Sequence, residues 1–266
     1  MTRTERDLSP LRCTTWLAPS LPAALFEELA AIAGAAVGRP AILAFETATS
    51  GPARGTPFPA DTDLGFLCTP TFLWQRDLDP CAIELVGAAP VWDDDRNGGR
   101  PTYFADLVVA AASPARTVGD LADATWACND ACSLSGCLSV VDALAGSDGR
   151  PTFVSSGSHL RSLDFVRSGR ADAAAIDSNV LVRLSGSAPH LIAGLHLVGS
   201  VGPYPVQPIV ATVASGIAGA IAASLLSLPA GSLAAHGIIG FAPVTVDDYE
   251  AYRPHLERLA LLAPPF

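Results

Sequence analysis

One stretch constrains the fold most. Asn129-Asp130-Ala131-Cys132-Ser133-Leu134-Ser135-Gly136 follows a short apolar run, residues 124–128, and precedes an apolar helical pattern over 138–144. That succession reads as a strand, a small polar turn and a helix start, the repeating unit of an α/β protein. The first N–H groups of a helix have no acceptor within it, and the aligned peptide dipoles add partial positive charge there. Ser133 and Ser135 bring hydroxyls to that point, and Gly136 lets a ligand come close to the backbone, so the turn reads as an anion cradle without a lysine. The same serines also suit a plain helix N-cap.

The rest of the chain alternates in a similar way. Residues 12–17, 40–46, 63–68, 82–91, 103–111, 125–128, 151–155, 171–176 and 191–201 read as strands. Helical spacing runs over 22–37 and 160–168, a short helix is expected at 118–122, a small-residue helix near 209–228, and a last helix over 250–262. Ala18-Pro19-Ser20 is a turn. Cys68-Thr69-Pro70-Thr71 is a second strand-to-helix junction with hydroxyls at it, and Ser156-Gly157-Ser158-His159 is a turn before a helix. Asp93-Asp94-Asp95 sets three carboxylates together, but Asn97-Gly98-Gly99 follows, a turn signal that favours a solvated loop over a metal site.

Two chain crossings divide this α/β sequence, one near 100–103 and one over 198–208. If both join the same two bodies, residues 1–102 plus 203–266 form one lobe and residues 103–199 the other, with a ligand cleft between the lobes.

Composition excludes several partners. A net charge of −10 argues against nucleic acid and anionic membrane surfaces. It leaves room for a small anionic ligand held by neutral donors. No apolar run reaches a membrane span, so no membrane insertion is expected. No secretory signal is visible, which places the sequence as it stands in the cytoplasm, or outside it if a leader was removed. The six cysteines are too sparse for a disulfide scaffold and read as reduced, buried thiols. Cys128, Cys132 and Cys137 cluster, but without a CxxC pair, so neither a metal nor a cofactor is expected.

Several segments together resemble a known family. Asp130-x-x-Ser133-x-Ser135-Gly136 is similar to the D-P-x-S-T-S-G stretch of the phosphonate- and phosphate-type ABC transporter solute-binding proteins. Asp63-Leu64-Gly65-Phe66-Leu67, Tyr103, Gly157-Ser158-His159 with the block up to Asp172, Pro205-x-x-Pro208, and Phe241-x-Pro243-Val244 with Asp248-Tyr249 resemble its other segments in the same order. The resemblance implies a two-lobed type II periplasmic-binding-protein-like fold, and an ABC permease as possible partner. It implies that Ser133, Ser135 and backbone N–H groups at Gly136 hold the anion, that Tyr103, Ser158 and His159 join them, and that Thr69 faces them from the first lobe. Three residues depart from the pattern: Leu134 stands where the family has threonine, Ala131 where it has proline, and Asn179 where aminophosphonate binders carry the carboxylate that grips an amine, with Asp177 two residues earlier.

Two functions are therefore expected in competition. The first is binding of a small oxyanion (phosphate, phosphonate or a similar organic anion), as the solute-binding protein of an ABC transporter or as a cytoplasmic relative of one. The alternative is a cytoplasmic enzyme on the same fold, with His159 as acid or base and Asp177 or Cys132 as its partner. No G-x-S-x-G, P-loop or H-E-x-x-H motif supports catalysis.

Overall fold

The computed structural model describes residues 9–18, 20–46 and 50–263. The turn expected at 18–20 hinges on residue 19, which lies outside them. In chain order the elements are β1 (Leu11–Thr15), α1 (Ala23–Ala36), β2 (Ala41–Phe45), β3 (Leu64–Phe66), α2 (Thr69–Leu78), β4 (Ile83–Leu85), β5 (Ala88–Trp92), β6 (Thr102–Ala110) and β7 (Thr125–Cys128). They continue with α3 (Ser139–Ala143), β8 (Thr152–Ser155), α4 (His159–Arg167), β9 (Ala173–Asp177), α5 (Ser178–Ser187) and β10 (Leu195–Pro205). The last are β11 (Ile209–Thr212), α6 (Ala218–Leu226), β12 (Ile238–Pro243), α7 (Val246–Glu250) and α8 (Arg253–Leu262).

The chain forms two compact units, one made of residues up to Val91 with Val206–Ala251, the other of Trp92–Pro205 with the chain from Tyr252 onward. The first unit is built on a five-stranded sheet ordered β2-β1-β3-β11-β4, with β12 paired to β5 beside it. β1 runs parallel to β2 and β3, whereas β11 is antiparallel to both β3 and β4. α1 buries Leu25, Phe26, Leu29, Ala30 and Ala33, an apolar stripe at helical spacing. Phe26 meets Phe66 of β3 with ring centres 5.2 Å apart. Tyr249 of α7 sets its ring edge-on against Phe72 of α2 at 5.3 Å.

Three expectations are corrected here. Residues 82–91 are two strands, because Gly87 takes φ +83 and breaks the run. No helix begins near Ile209: Ile209-Val210-Ala211-Thr212 is β11, whose branched residues fit between β3 and β4. The helix expected there is α6, beginning nine residues later. The last helix is two, α7 and α8, parted at Ala251 and Tyr252, with a proline in the first turn of α8 where a missing N–H costs nothing.

The second unit carries a five-stranded sheet ordered β10-β6-β9-β7-β8. β6 is antiparallel to β10 and β9, while β9, β7 and β8 run parallel. β9, Ala-Ala-Ala-Ile-Asp, is buried along its whole length, as a strand covered on both faces must be. Leu107, Val109, Trp126, Val140, Leu144, Ala173 and Ala175 form one core against it. α8 belongs to this unit and not to the first lobe, as the expected 203–266 segment had it. Its Leu256 and Leu259 are buried, and His255 Nε2 stands 3.0 Å from Asp142 of α3. Residues 93–101 do turn, yet Arg96 is not simply solvated: it donates to Asp94 at 2.8 Å and to the buried Asp106 of β6 at 2.8 Å.

Candidate functional site

β7, β8 and β9 are adjacent and parallel, so their carboxyl ends, Cys128, Ser155 and Asp177, share one edge of the second unit's sheet. The chain leaves β7 toward β8 and leaves β9 toward the other side, which makes this edge a topological switch point. Each strand is followed by a helical start with its own polar cap. Ser133 caps the turn after β7, its Oγ accepting from Gly136 N at 3.1 Å. Ser158 caps α4 by accepting from Arg161 N at 3.3 Å. Asp177 caps α5 by accepting from Asn179 N at 2.8 Å.

The turn after β7 is not an ordinary helix start. Leu134–Leu138 winds as a single π-helical turn before α3, and all five residues are buried. Such wide turns recur at functional positions. Cys137 N and Leu138 N both donate to Ser133 O, at 3.1 and 3.0 Å. Ser139 Oγ donates to Ser135 O at 2.6 Å and fixes the turn from behind. Gly136 has no alternative: a β-carbon there would stand 1.6 Å from Asn129 Oδ1. The loop after β8 is tied to the same place, with Ser156 N donating to Cys128 O at 2.7 Å and Gly157 N to Asn129 O at 3.0 Å.

His159 is the first residue of α4 rather than part of the expected turn. Its Nε2 lies 2.9 Å from Ser135 Oγ, so it stands behind the serine. Burial pushes its pKa down to about 4, against a hydrogen bond with the Ala175 backbone that favours the protonated ring. The ring is thus neutral near pH 7, with one proton for two partners. With the proton toward Ala175 the other nitrogen accepts from Ser135 Oγ, and with the proton on Nε2 the ring donates to Ser135 Oγ; only the charged ring donates to both.

The structure brings six of the eight sequence candidates to this edge: Ser133, Ser135, Gly136, Ser158, His159 and Asp177. Of these, Ser158 and Asp177 are engaged as caps. Tyr103 is fully buried on β6, between β10 and β9, with its ring 5.8 Å from that of Tyr204. Thr69 is buried in the first unit as the opening residue of α2. Sequence reasoning passed over Asn129 and did not count Asn179 among the site residues. Both are buried, and among the described residues Asn129 Oδ1 and both amide atoms of Asn179 have no hydrogen-bond partner. Their signal was position: an amide just after a buried strand, where a helix begins. Among the described residues no group of three or more His, Cys, Asp or Glu is placed to hold a metal ion, and no helix is long and apolar enough to cross a membrane.

Comparison with known proteins agrees with this architecture. No curated protein sequence matches the chain. Among solved structures, the chain resembles the binding protein component of an ABC phosphonate transporter from Pseudomonas aeruginosa, with 14% identity, TM-score 0.73, and 96% of this chain and 87% of that one covered. It resembles PhnD1 from Prochlorococcus marinus in complex with methylphosphonate, with 15% identity, TM-score 0.72, and coverage of 93% and 97%. A Xanthomonas citri protein bound to chloride ion follows at 16% identity, TM-score 0.61, and coverage of 94% and 96%. These likenesses show the type II periplasmic-binding-protein fold. The family model described as "ABC transporter, phosphonate, periplasmic substrate-binding protein" matches residues 71–249. That span takes in both crossings, the π-helical turn and every strand of the second unit's sheet, and on it the chain belongs to the family of periplasmic substrate-binding proteins of ABC phosphonate transporters.

Proposed function

We propose that this protein binds a phosphonate or phosphate oxyanion at the carboxyl edge of β7, β8 and β9 and presents it to an ABC permease. The observation that carries the reading is the 2.9 Å bond between Ser135 Oγ and the buried His159 Nε2 beneath a helix start. With its proton on Nε2, the imidazole donates to Ser135 Oγ, and the serine's own hydrogen is left for a ligand oxygen. Ser133 accepts from Gly136 N through its oxygen and likewise keeps its hydrogen to give. The first two N–H groups of the π-helical turn, on Leu134 and Ser135, have no acceptor within the turn and add donors there. Tyr103 is the aromatic donor of the set, while Ser158 and Asp177 act by holding α4 and α5 in place. The methylphosphonate bound by PhnD1, a protein of similar fold, supports the choice of anion.

All the donors are neutral, so binding needs no cationic residue in a chain of net charge −10. Several charge-assisted hydrogen bonds to one oxyanion supply the affinity. The test is thermal unfolding with phosphate, methylphosphonate, sulfate and acetate. A ligand at 100 times its Kd adds about 2.7 kcal/mol of stability. Phosphate or methylphosphonate is expected to give that shift, and Ser135→Ala to remove it with the unliganded midpoint little changed. An unchanged shift in Ser135→Ala sinks the assignment.

A further inference from the structure

Asp142 lies on α3, the short helix that continues directly from the π-helical turn. Three side chains from far along the chain converge on its carboxylate. Tyr204, at the end of β10, donates its hydroxyl to Oδ2 at 3.3 Å, and His255 of α8 brings Nε2 to the same oxygen at 3.0 Å. Arg258, further along α8, places Nη2 3.8 Å from Oδ1 and 3.0 Å from His255 Nδ1. A guanidinium only donates, so His255 Nδ1 accepts from it, and the ring's proton sits on Nε2, toward Asp142. Burial, and then the charge of Asp142, push the Tyr204 phenol up, which keeps it a donor. The bonds of the cluster thus all run toward one carboxylate.

We infer that Asp142 is a positioning residue for the oxyanion site, holding the π-helical turn in its binding shape from behind. The inference rests on the oxyanion reading above. α3 has only five residues, and a helix that short does not keep its direction unaided, so outside anchorage decides where it points. α8 lies against both α3 and the π-helical turn. Ser139, the first residue of α3, donates to Ser135 O at 2.6 Å, and Ser135 Oγ meets His159. A chain of bonds therefore runs from α8 and β10 through Asp142, along less than one turn of α3, to the serine assigned to the ligand. The anchors are themselves joined: the rings of Tyr204 and Tyr252 lie 6.2 Å apart, and the Tyr252 hydroxyl donates to Pro203 O.

The experiment is titration calorimetry of the full chain with methylphosphonate and phosphate, beside urea unfolding, for wild type, Asp142→Ala, Asp142→Asn, Tyr204→Phe, Ser139→Ala and the Asp142→Ala, Ser139→Ala double variant. Asp142→Ala is expected to weaken binding about tenfold, as displaced hydroxyls would. Asp142→Asn keeps an oxygen for Tyr204 and His255 and restores most of the affinity. Tyr204→Phe keeps the ring in place and weakens binding in the same direction by a smaller factor. With Ser139→Ala already present, Asp142→Ala loses most of its effect, because the path to Ser135 is cut. Should Asp142→Ala fail to fold, Tyr204→Phe decides. Affinities unchanged in the variants while only the unfolding midpoint falls, tighter binding in Asp142→Ala, or strict additivity with Ser139→Ala overturns this inference alone. If neither anion binds wild type, the oxyanion reading falls and this inference with it.

Discussion

Ser135 Oγ and His159 Nε2 are 2.9 Å apart, on different helical starts, with both side chains buried. Burial of the ring sets the protonation chemistry of this pair. In the folded protein the imidazole pKa is about 4 against an ordinary 6.5. Between those values the unfolded chain takes up a proton that the native state refuses. Stability is therefore expected to fall as pH drops from about 6.5 toward 4, by up to roughly 3 kcal/mol, and to stay level on this account above 7. Urea unfolding of wild type and His159→Gln across that range tests it. The difference between the two curves carries the slope, and a difference independent of pH refutes it.

Ligand should reverse that preference. A dianion beside Ser135 favours the charged ring, which serves Ser135 and Ala175 at once. Binding of phosphate at pH 6 is expected to take up a fraction of a proton, and binding at pH 8 almost none. Calorimetry in buffers of different ionisation enthalpy measures the uptake. His159→Gln should abolish it.

Gly136 and Asn129 are mutually exclusive with any larger residue at 136, given the 1.6 Å clearance. Gly136→Ala is expected to cost about 1–3 kcal/mol, in the range of overpacked cores, and to displace the turn that carries the hydroxyls. Asn129→Ala in the same chain should restore most of the loss. A double-mutant cycle by denaturant unfolding gives the coupling, and simple additivity would show that the clash is not the cause.

The last helix holds to the second unit through Leu256, Leu259 and the pairing of His255 with Asp142. Leu256→Ala is expected to cost about 2–4 kcal/mol. Hydrogen exchange should place the loss in α3, α8 and β10, and leave β1, β2 and β3 protected as before. Equal deprotection of β1 would contradict the assignment of this helix.

Arg96 joins Asp94 and Asp106, and Ser200 Oγ donates to Asp106 at 2.6 Å. Its hydrogen bonds to the two carboxylates raise the guanidinium pKa further, and the same bonds hold the Asp94 carboxyl below its usual range. Asp106 is buried while Arg96 is partly exposed, so the solvent-screened worth of Arg96→Ala is about 2 kcal/mol. For Asp94 the depressed pKa means stability present at neutral pH and lost as pH falls below about 4. Denaturant midpoints of Arg96→Ala at pH 7 and pH 3 test both points, the gap to wild type being smaller at pH 3.

The strand-turn-helix over 124–144 was legible because its chemistry is local: an apolar run, two hydroxyls, a glycine, then helical spacing. Ser133, Ser135 and Gly136 were read from that pattern, and the family from several such patterns in order. What stayed hidden depends on contacts between distant residues. β11 looked helical because Val210-Ala211-Thr212-Val213-Ala214 is small and apolar, and only pairing with β3 and β4 makes it a strand. α5 was missed because Ser185, Gly186 and Ser187 weaken the helical signal, while Asp177 supplies the cap that starts it. The allegiance of α8 rests on Asp142, more than a hundred residues away in sequence.

The wide winding of Leu134–Leu138 has a cost in tolerance. Removing a single residue from these five would let the segment relax to ordinary helical pitch, lose the wide bond from Leu138 N to Ser133 O, and put a different residue where Ser135 now meets His159. Length, as much as identity, is under constraint in this loop, and homologous chains that keep the hydroxyls while losing one residue between them and Ser139 should have surrendered the guest.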